Sequence, residues 1–156
     1  MIDPEVSDEW LWTLAEMYFE IEPHPEIVLD PDDPEGDRHT DAICAVFDLR
    51  KNPESAWRFI EVCCEKLQLT DDQLGLLGAG LFEDLMDDAG KSFIDRVEAG
   101  YGGSESFRKV VNAVWTMSMS GDVADRIDCL KASSITQTPQ SPDRPRGCRR
   151  PWPGSP

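Results

Sequence analysis

Apolar residues in this chain recur every three to four positions in short runs, and each run is bounded by a capping residue, a proline or a glycine. That spacing lines one face of a helix, and the frequent stop signals keep the helices short. No convincing period-2 alternation of a half-buried strand appears. The pattern predicts an all-α fold, a compact bundle of about six to seven short helices.

Ser7 caps a first helix expected over residues 8–21, where Trp10, Leu11, Leu14, Met17, Tyr18 and Ile21 form one stripe. Pro23 and Pro25 stop it. Residues 22–38 read as an acidic, proline-rich loop. Thr40 is expected to cap a short helix carrying Ile43, Cys44, Val46, Phe47 and Leu49. Asn52-Pro53-Glu54 then places a cap, a proline at the first helical position and an acid in the first turn. Thr70 and Gln73 fit a capping box. Gly78-Ala79-Gly80 reads as a sharp break, followed by a helix from Leu81 to Ala89 with Gly90 just past its end. Residues 91–99 continue with Phe93, Ile94 and Val97 inward, to a break at Gly100, Gly102 and Gly103. Ser104 caps a helix expected over 105–118, and a last one after Gly121 carries Val123, Ile127 and Leu130.

From Ala132 the character changes to Ser, Thr, Gln, Pro and Arg, with six of the twelve prolines beyond residue 138. No apolar face offsets the ordering entropy there, so 7–131 is the expected domain and 132–156 a disordered basic tail. The contrast in composition also fits a non-native extension, or a basic recognition tail. Deleting 132–156 is expected to leave helicity and thermal midpoint unchanged.

Charge narrows the partners. Residues 1–130 carry 30 acidic against 10 basic side chains, a net −20; residues 131–156 carry five basic and one acidic, a net +4. A body at −20 repels nucleic acid and anionic membranes, and steers a basic protein inward. It also serves plain solubility. No apolar run approaches the roughly 20 residues that span a bilayer, and the N-terminus lacks the pattern of a signal peptide. Five cysteines, two of them adjacent at 63 and 64, suggest no disulfide framework, and the expectation is a cytoplasmic protein with reduced thiols.

One compact motif stands out. Gly78-Ala79-Gly80-Leu81-Phe82-Glu83-Asp84-Leu85-Met86 is followed by Gly90, Ile94-Asp95, Phe107-Arg108, Val114-Trp115 and Arg126-Ile127. These elements, in this order, resemble the bacterial family catalogued as domain of unknown function 6869. The likeness is clearest over residues 53–130, weaker over 8–50 and absent from the tail. Leu81 stands where the family usually has proline, which loosens the helix start without changing the fold. The resemblance implies a small helical bacterial protein and carries no activity with it.

The candidate motif residues are Gly80, Glu83, Asp84, Gly90, Asp95, Glu98, Arg108, Trp115 and Arg126. Glu83, Asp84, Asp87 and Asp88 crowd one short helix, with Asp84 and Asp88 a like-charge i, i+4 pair that wants a cation. They read as carboxylates at a helix N-terminus, with Glu83 and Asp84 near the amides after Gly80, or as a metal or acid/base site. No nearby histidine completes a transition-metal set. Arg96, Arg108 and Arg126 are expected to pair with Glu83, Asp95 or Glu98, or to bind a ligand. The loop Asp30 to Asp41 fails the EF-hand pattern, with Pro34 at position 5 and Glu35 at the glycine position. His24 and His39 flank that loop with no nucleophile beside them. Cys63-Cys64 reads as core packing, and Gly78-x-Gly80, with no strand before it, is no phosphate loop.

No catalytic residue, metal or cofactor is expected. The reading is a protein-binding or adaptor module without catalysis. The alternatives are an immunity-type protein neutralising a basic toxin, and an enzyme using Glu83, Asp84 and Glu98 with an arginine. The oligomeric state is not legible.

Overall fold

A computed structural model describes residues 6–21, 32 and 37–135, and every regular element among them is helical. The elements are α1 (Asp8–Tyr18), α2 (Arg38–Leu49), α3 (Pro53–Lys66), α4 (Asp71–Leu77), a π turn (Gly78–Phe82), α5 (Glu83–Tyr101), α6 (Glu105–Ala113) and α7 (Gly121–Ile135). The core runs through all of them. Helix α3 packs against α1, α2, the π turn, α5 and α6, and buries Trp57, Phe59, Ile60 and Cys63. Trp57 stacks at a tilt on Phe93 and meets the edge of Phe107, whose ring in turn meets Phe82.

Start signals are realised where a side-chain oxygen faces an unbonded amide. Ser7 accepts the Trp10 N–H, Asn52 the Ser55 N–H and Ser104 the Phe107 N–H; Thr70 and Gln73 close the capping box from both sides. At α2 the cap is Asp37 rather than Thr40. Its carboxylate accepts both the His39 N–H at 3.1 Å and the Thr40 hydroxyl at 2.9 Å. An ionised acceptor outcompetes a hydroxyl at the positive end of a helix, so Thr40 falls inside the first turn. Along α2 only Ala42, Val46 and Leu49 are buried, while Cys44 and Phe47 face solvent.

Helix α1 ends at Tyr18, short of the expected residue 21. Glu20 adopts a left-handed φ of 53°, and the turn buries Phe19 edge-on against Tyr18. The expected loop 22–38 lies, but for Asp32, Asp37 and Arg38, outside the described residues. So does the tail from 136.

The expected break at Gly78-Ala79-Gly80 is a kink: Gly80, with φ of −114° and ψ of −105°, leaves the helical region between α4 and α5, and the π turn carries the chain across it. Gly78 supplies a close approach: a Cβ there would lie 2.2 Å from the Val110 carbonyl oxygen and 2.9 Å from the Ala113 Cβ, both on α6. Gly90, by contrast, is no helix end. It sits inside α5, where a Cβ would meet Val123 of α7 at 2.9 Å. Both glycines are there to let another helix in, a reason that no local stop rule contains. Gly100 too lies within α5, and the chain turns at Gly102-Gly103.

Helix α6 stops at Ala113, five residues before expectation, and Val114 is extended and buried. Helix α7 continues to Ile135, so the helical body passes the boundary at 131. Within the added turn the Ser134 hydroxyl bonds the Tyr101 hydroxyl, which also donates to Asn112 at 2.9 Å.

Gly78→Ala is expected to destabilise by about 3 kcal/mol, on the order of 10 °C in thermal midpoint, because backbone of α6 must move. Gly90→Ala meets only side-chain ends, the Val123 methyls and Met86 Cε, which can shift, and should cost less than half of that by the same melt. The contact at Ser134 revises the deletion expectation. A chain ending at 131 should melt a few degrees below one ending at 135, for the loss of roughly 1 kcal/mol of hydrogen bonding.

Candidate functional site

Helix α5 emerges from the π turn with its first amides already bonded, the Glu83 N–H to the carbonyls of Gly78 and Gly80. The acidic side chains of its first turns therefore do not cap it. They point outward as two stripes, Glu83 with Asp87 and Asp84 with Asp88, each pair one turn apart.

The first stripe holds the segment between α6 and α7. Glu83 accepts the Trp115 N–H at 3.0 Å, and Asp87 accepts the Ser118 hydroxyl at 2.9 and 2.7 Å. From α7, Asp128 accepts the Thr116 hydroxyl at 3.1 and 3.2 Å, and Lys131 donates to the Val114 carbonyl. Buried Val114 and Met119 anchor the two ends. Competition from these four side chains is the physical reason α6 does not run on to 118. Trp115 is left 67% exposed and Met117 89% exposed on a segment held from both sides.

The second stripe faces α2. Asp84 pairs with Arg50 at 3.1 Å, so the like-charge pair Asp84 and Asp88 has the cation it wants. The Arg50 guanidinium also lies 5.8 Å from the centre of the exposed Phe47 ring. Around this pair runs a shallow groove lined by Tyr18, Val46, Gly80 and Leu81 on one side and by Pro53, Leu85 and Asp88 on the other. Burial pushes the Asp84 carboxyl above its ordinary value; Arg50 opposes, and Asp88, Asp87 and Glu83 add to the rise.

At the other end of α5, Arg126 of α7 forks onto Glu98 at 2.7 and 2.6 Å and reaches Asp95 at 2.6 Å. This is the expected arginine pairing. Arg96 does otherwise: it grips Glu54 of α3 at 2.8 and 3.0 Å and lies 4.9 Å from the Phe93 ring centre. Arg108 is half-buried on α6. The motif thus serves several places. Glu83 and Glu98 stand about 22 Å apart along α5 at ~1.5 Å per residue, and they do not converge with Asp84 on one point.

Arg50 and Glu54 were not legible as partners, because their contacts join helices more than thirty residues apart in sequence. The only signal was Arg50 one turn beyond Val46, at the edge of the α2 apolar stripe. Elsewhere, His39 Nδ1 lies 3.5 Å from the Met17 carbonyl oxygen, and His24 is outside the described residues. Burial raises the Cys63 thiol well above its ordinary value and pushes Cys64 up to about 12, with Glu65 and Glu61 adding to the latter, so neither is a ready thiolate. Among the described residues no group of three or more His, Cys, Asp or Glu is placed to hold a metal ion, and no helix is long and apolar enough to cross a membrane.

A family described as a family of unknown function, DUF6869, matches residues 30–135, from just before α2 to the last residue of α7. Neither the curated proteins nor the solved structures hold a match to the chain.

The two ends of α5 should respond to pH with opposite sign. The Arg126 guanidinium beside Glu98 holds that carboxyl below its ordinary 4.5, so its stabilisation is present above that value and lost as pH falls through the lowered one. Glu98→Gln should therefore cost about 0.5–1 kcal/mol at neutral pH, as for an exposed pair, and nothing in strong acid. Asp84 titrates above its ordinary 3.8, so its ionised form disfavours folding. Asp84→Asn should raise the urea midpoint at neutral pH, with the gain vanishing below 3.8.

Proposed function

The chain belongs to the family of unknown function DUF6869, and from that premise we propose a protein-binding module without catalysis of its own, which docks a basic partner through Trp115 and Met117. The single observation that carries the reading is the fixed segment 114–120, which holds two large apolar side chains in solvent with four hydrogen-bonding side chains beneath them. Folding has already met the entropy of ordering this segment, so a partner loses less on docking. Tryptophan and methionine are enriched where protein interfaces concentrate their energy. Glu83, Asp87 and Asp128 surround them with carboxylates, the polar rim that a basic partner complements.

A narrower reading makes that partner a basic toxin and this chain its immunity protein. What favours it is the net −20 over residues 1–130, far more acid than the ion pairs within the fold consume. Association would then weaken steeply with salt. The enzyme reading has less support, since its carboxylates are spread along α5.

Tagged full-length chain and the double variant Trp115→Ala/Met117→Ala are passed through native lysate at low and high salt, and retained proteins are identified by mass spectrometry. The variant should melt within a degree or two of the parent, because neither side chain is buried. A basic protein kept by the parent at low salt and lost by the variant is the expected result. Equal retention by both would remove the docking role.

A further inference from the structure

At the far end of α5, about 20 Å from Asp87 at ~1.5 Å per residue, helices α3, α5 and α6 leave a solvent-open pocket of about 110 Å³. Its apolar wall is Trp57 and Phe107, and its rim is Glu61 and Glu65 on successive turns of α3. Gly100 and Ser104 form the opposite side. A Cβ at Gly100 would stand 3.1 Å from the Phe107 ring, so the glycine keeps that ring close against α5.

The charge around this pocket is out of balance. Arg58 bonds Asp8 at 2.7 and 2.5 Å and Glu61 at 2.9 Å and lies 4.0 Å from Glu65, with Lys66 acting on Asp8 and Arg96 on Glu61 from further away. No lysine or arginine is among the described residues that line the pocket. Cys64, also in its wall, has its thiol pushed up by burial and further by Glu65 and Glu61, which marks the local field as negative.

We propose that this pocket receives an arginine side chain from a basic segment of the partner protein. The proposal rests on the protein-binding reading above and supplies its chemistry. Paired carboxylates suit a guanidinium better than an ammonium, since its planar N–H fork reaches both acids, and the ring edges of Trp57 and Phe107 that stay exposed border the cation. The methylene stem covers Trp57 and Phe107. A cavity of this size is too small for a drug-sized ligand and matches the end of one long side chain.

The test titrates the full chain with short blocked peptides, identical but for one central residue: arginine, lysine or the neutral isostere citrulline. The readout is the amide and indole NMR signals of Trp57, Glu61, Cys64 and Gly100. The expected result is a saturable shift with the arginine peptide, severalfold weaker with lysine and absent with citrulline. Glu61→Gln/Glu65→Gln, exposed enough to leave the fold intact by circular dichroism, should weaken arginine binding at least fivefold. A chain with Arg144, Arg146, Arg149 and Arg150 all changed to alanine is titrated in parallel. Binding seen only in that chain would assign the pocket to the protein's own arginines and overturn the partner assignment. No saturable shift in either chain, equal shifts from arginine and citrulline, or binding untouched by the Glu61/Glu65 change would overturn it as well. Trp115→Ala/Met117→Ala should bind the arginine peptide as the parent does, so failure at this pocket and failure of the docking segment are read separately.

Discussion

Helix α6 lies against the bend between α4 and α5 because Gly78 has no side chain. The Val110 carbonyl occupies the space a Cβ would need, and from that approach the rest of the bundle follows. With α6 seated, Phe107 reaches Trp57 and Phe82 and joins the core of α3 to that of the π turn. At Gly80 the backbone leaves the helical region, and the Glu83 N–H reaches back across the kink to the Gly78 and Gly80 carbonyls. A second glycine contact, Gly90 under Val123, sets α7 across the middle of α5. Two missing methyl groups thus position the two C-terminal helices.

Once those helices are placed, the crowd of carboxylates on α5 becomes intelligible as division of labour. Glu83 and Asp87 hold the 114–120 segment, Asp84 answers Arg50, and Asp95 with Glu98 receives Arg126. Each of these interactions is exposed or half-exposed, so none contributes much stability singly. Their effect is on geometry. They set where the segment after α6 runs and which side chains it presents, and so they turn an acidic surface into a defined face with Trp115 and Met117 at its centre.

Local rules suffice where a signal and the group it acts on lie within one turn of each other. Asn52-Pro53-Glu54 and Thr70 to Gln73 were legible because a cap, its proline and its acids lie within one turn of each other. The stripe Leu11, Leu14, Met17 named its own buried face. The rules found the kink at Gly80 but misread Gly90 as a stop, since a glycine that ends a helix and one that admits a neighbour are identical in sequence. The end of α6 at Ala113 was missed for a related reason: the side chains that draw Val114 to Ser120 away from the helix come from α5 and α7. Of the candidate site, the sequence named Glu83 and Trp115 separately and could not name Arg50 or Glu54 as partners.

By itself the sequence determined that this is an all-helical, acidic chain, where most of its helices start, many of the residues buried on them, and the family whose motif it carries. Those properties depend on hydrogen bonds and periodicity within one or two turns, and neighbours in sequence are enough to decide them. Only the tertiary structure decided that Gly78 and Gly90 admit neighbouring helices, that the acids of α5 serve separate partners, and that Trp115 and Met117 face solvent on a fixed segment. Each of these turns on an atom brought from another helix, at a distance that no spacing along the chain encodes.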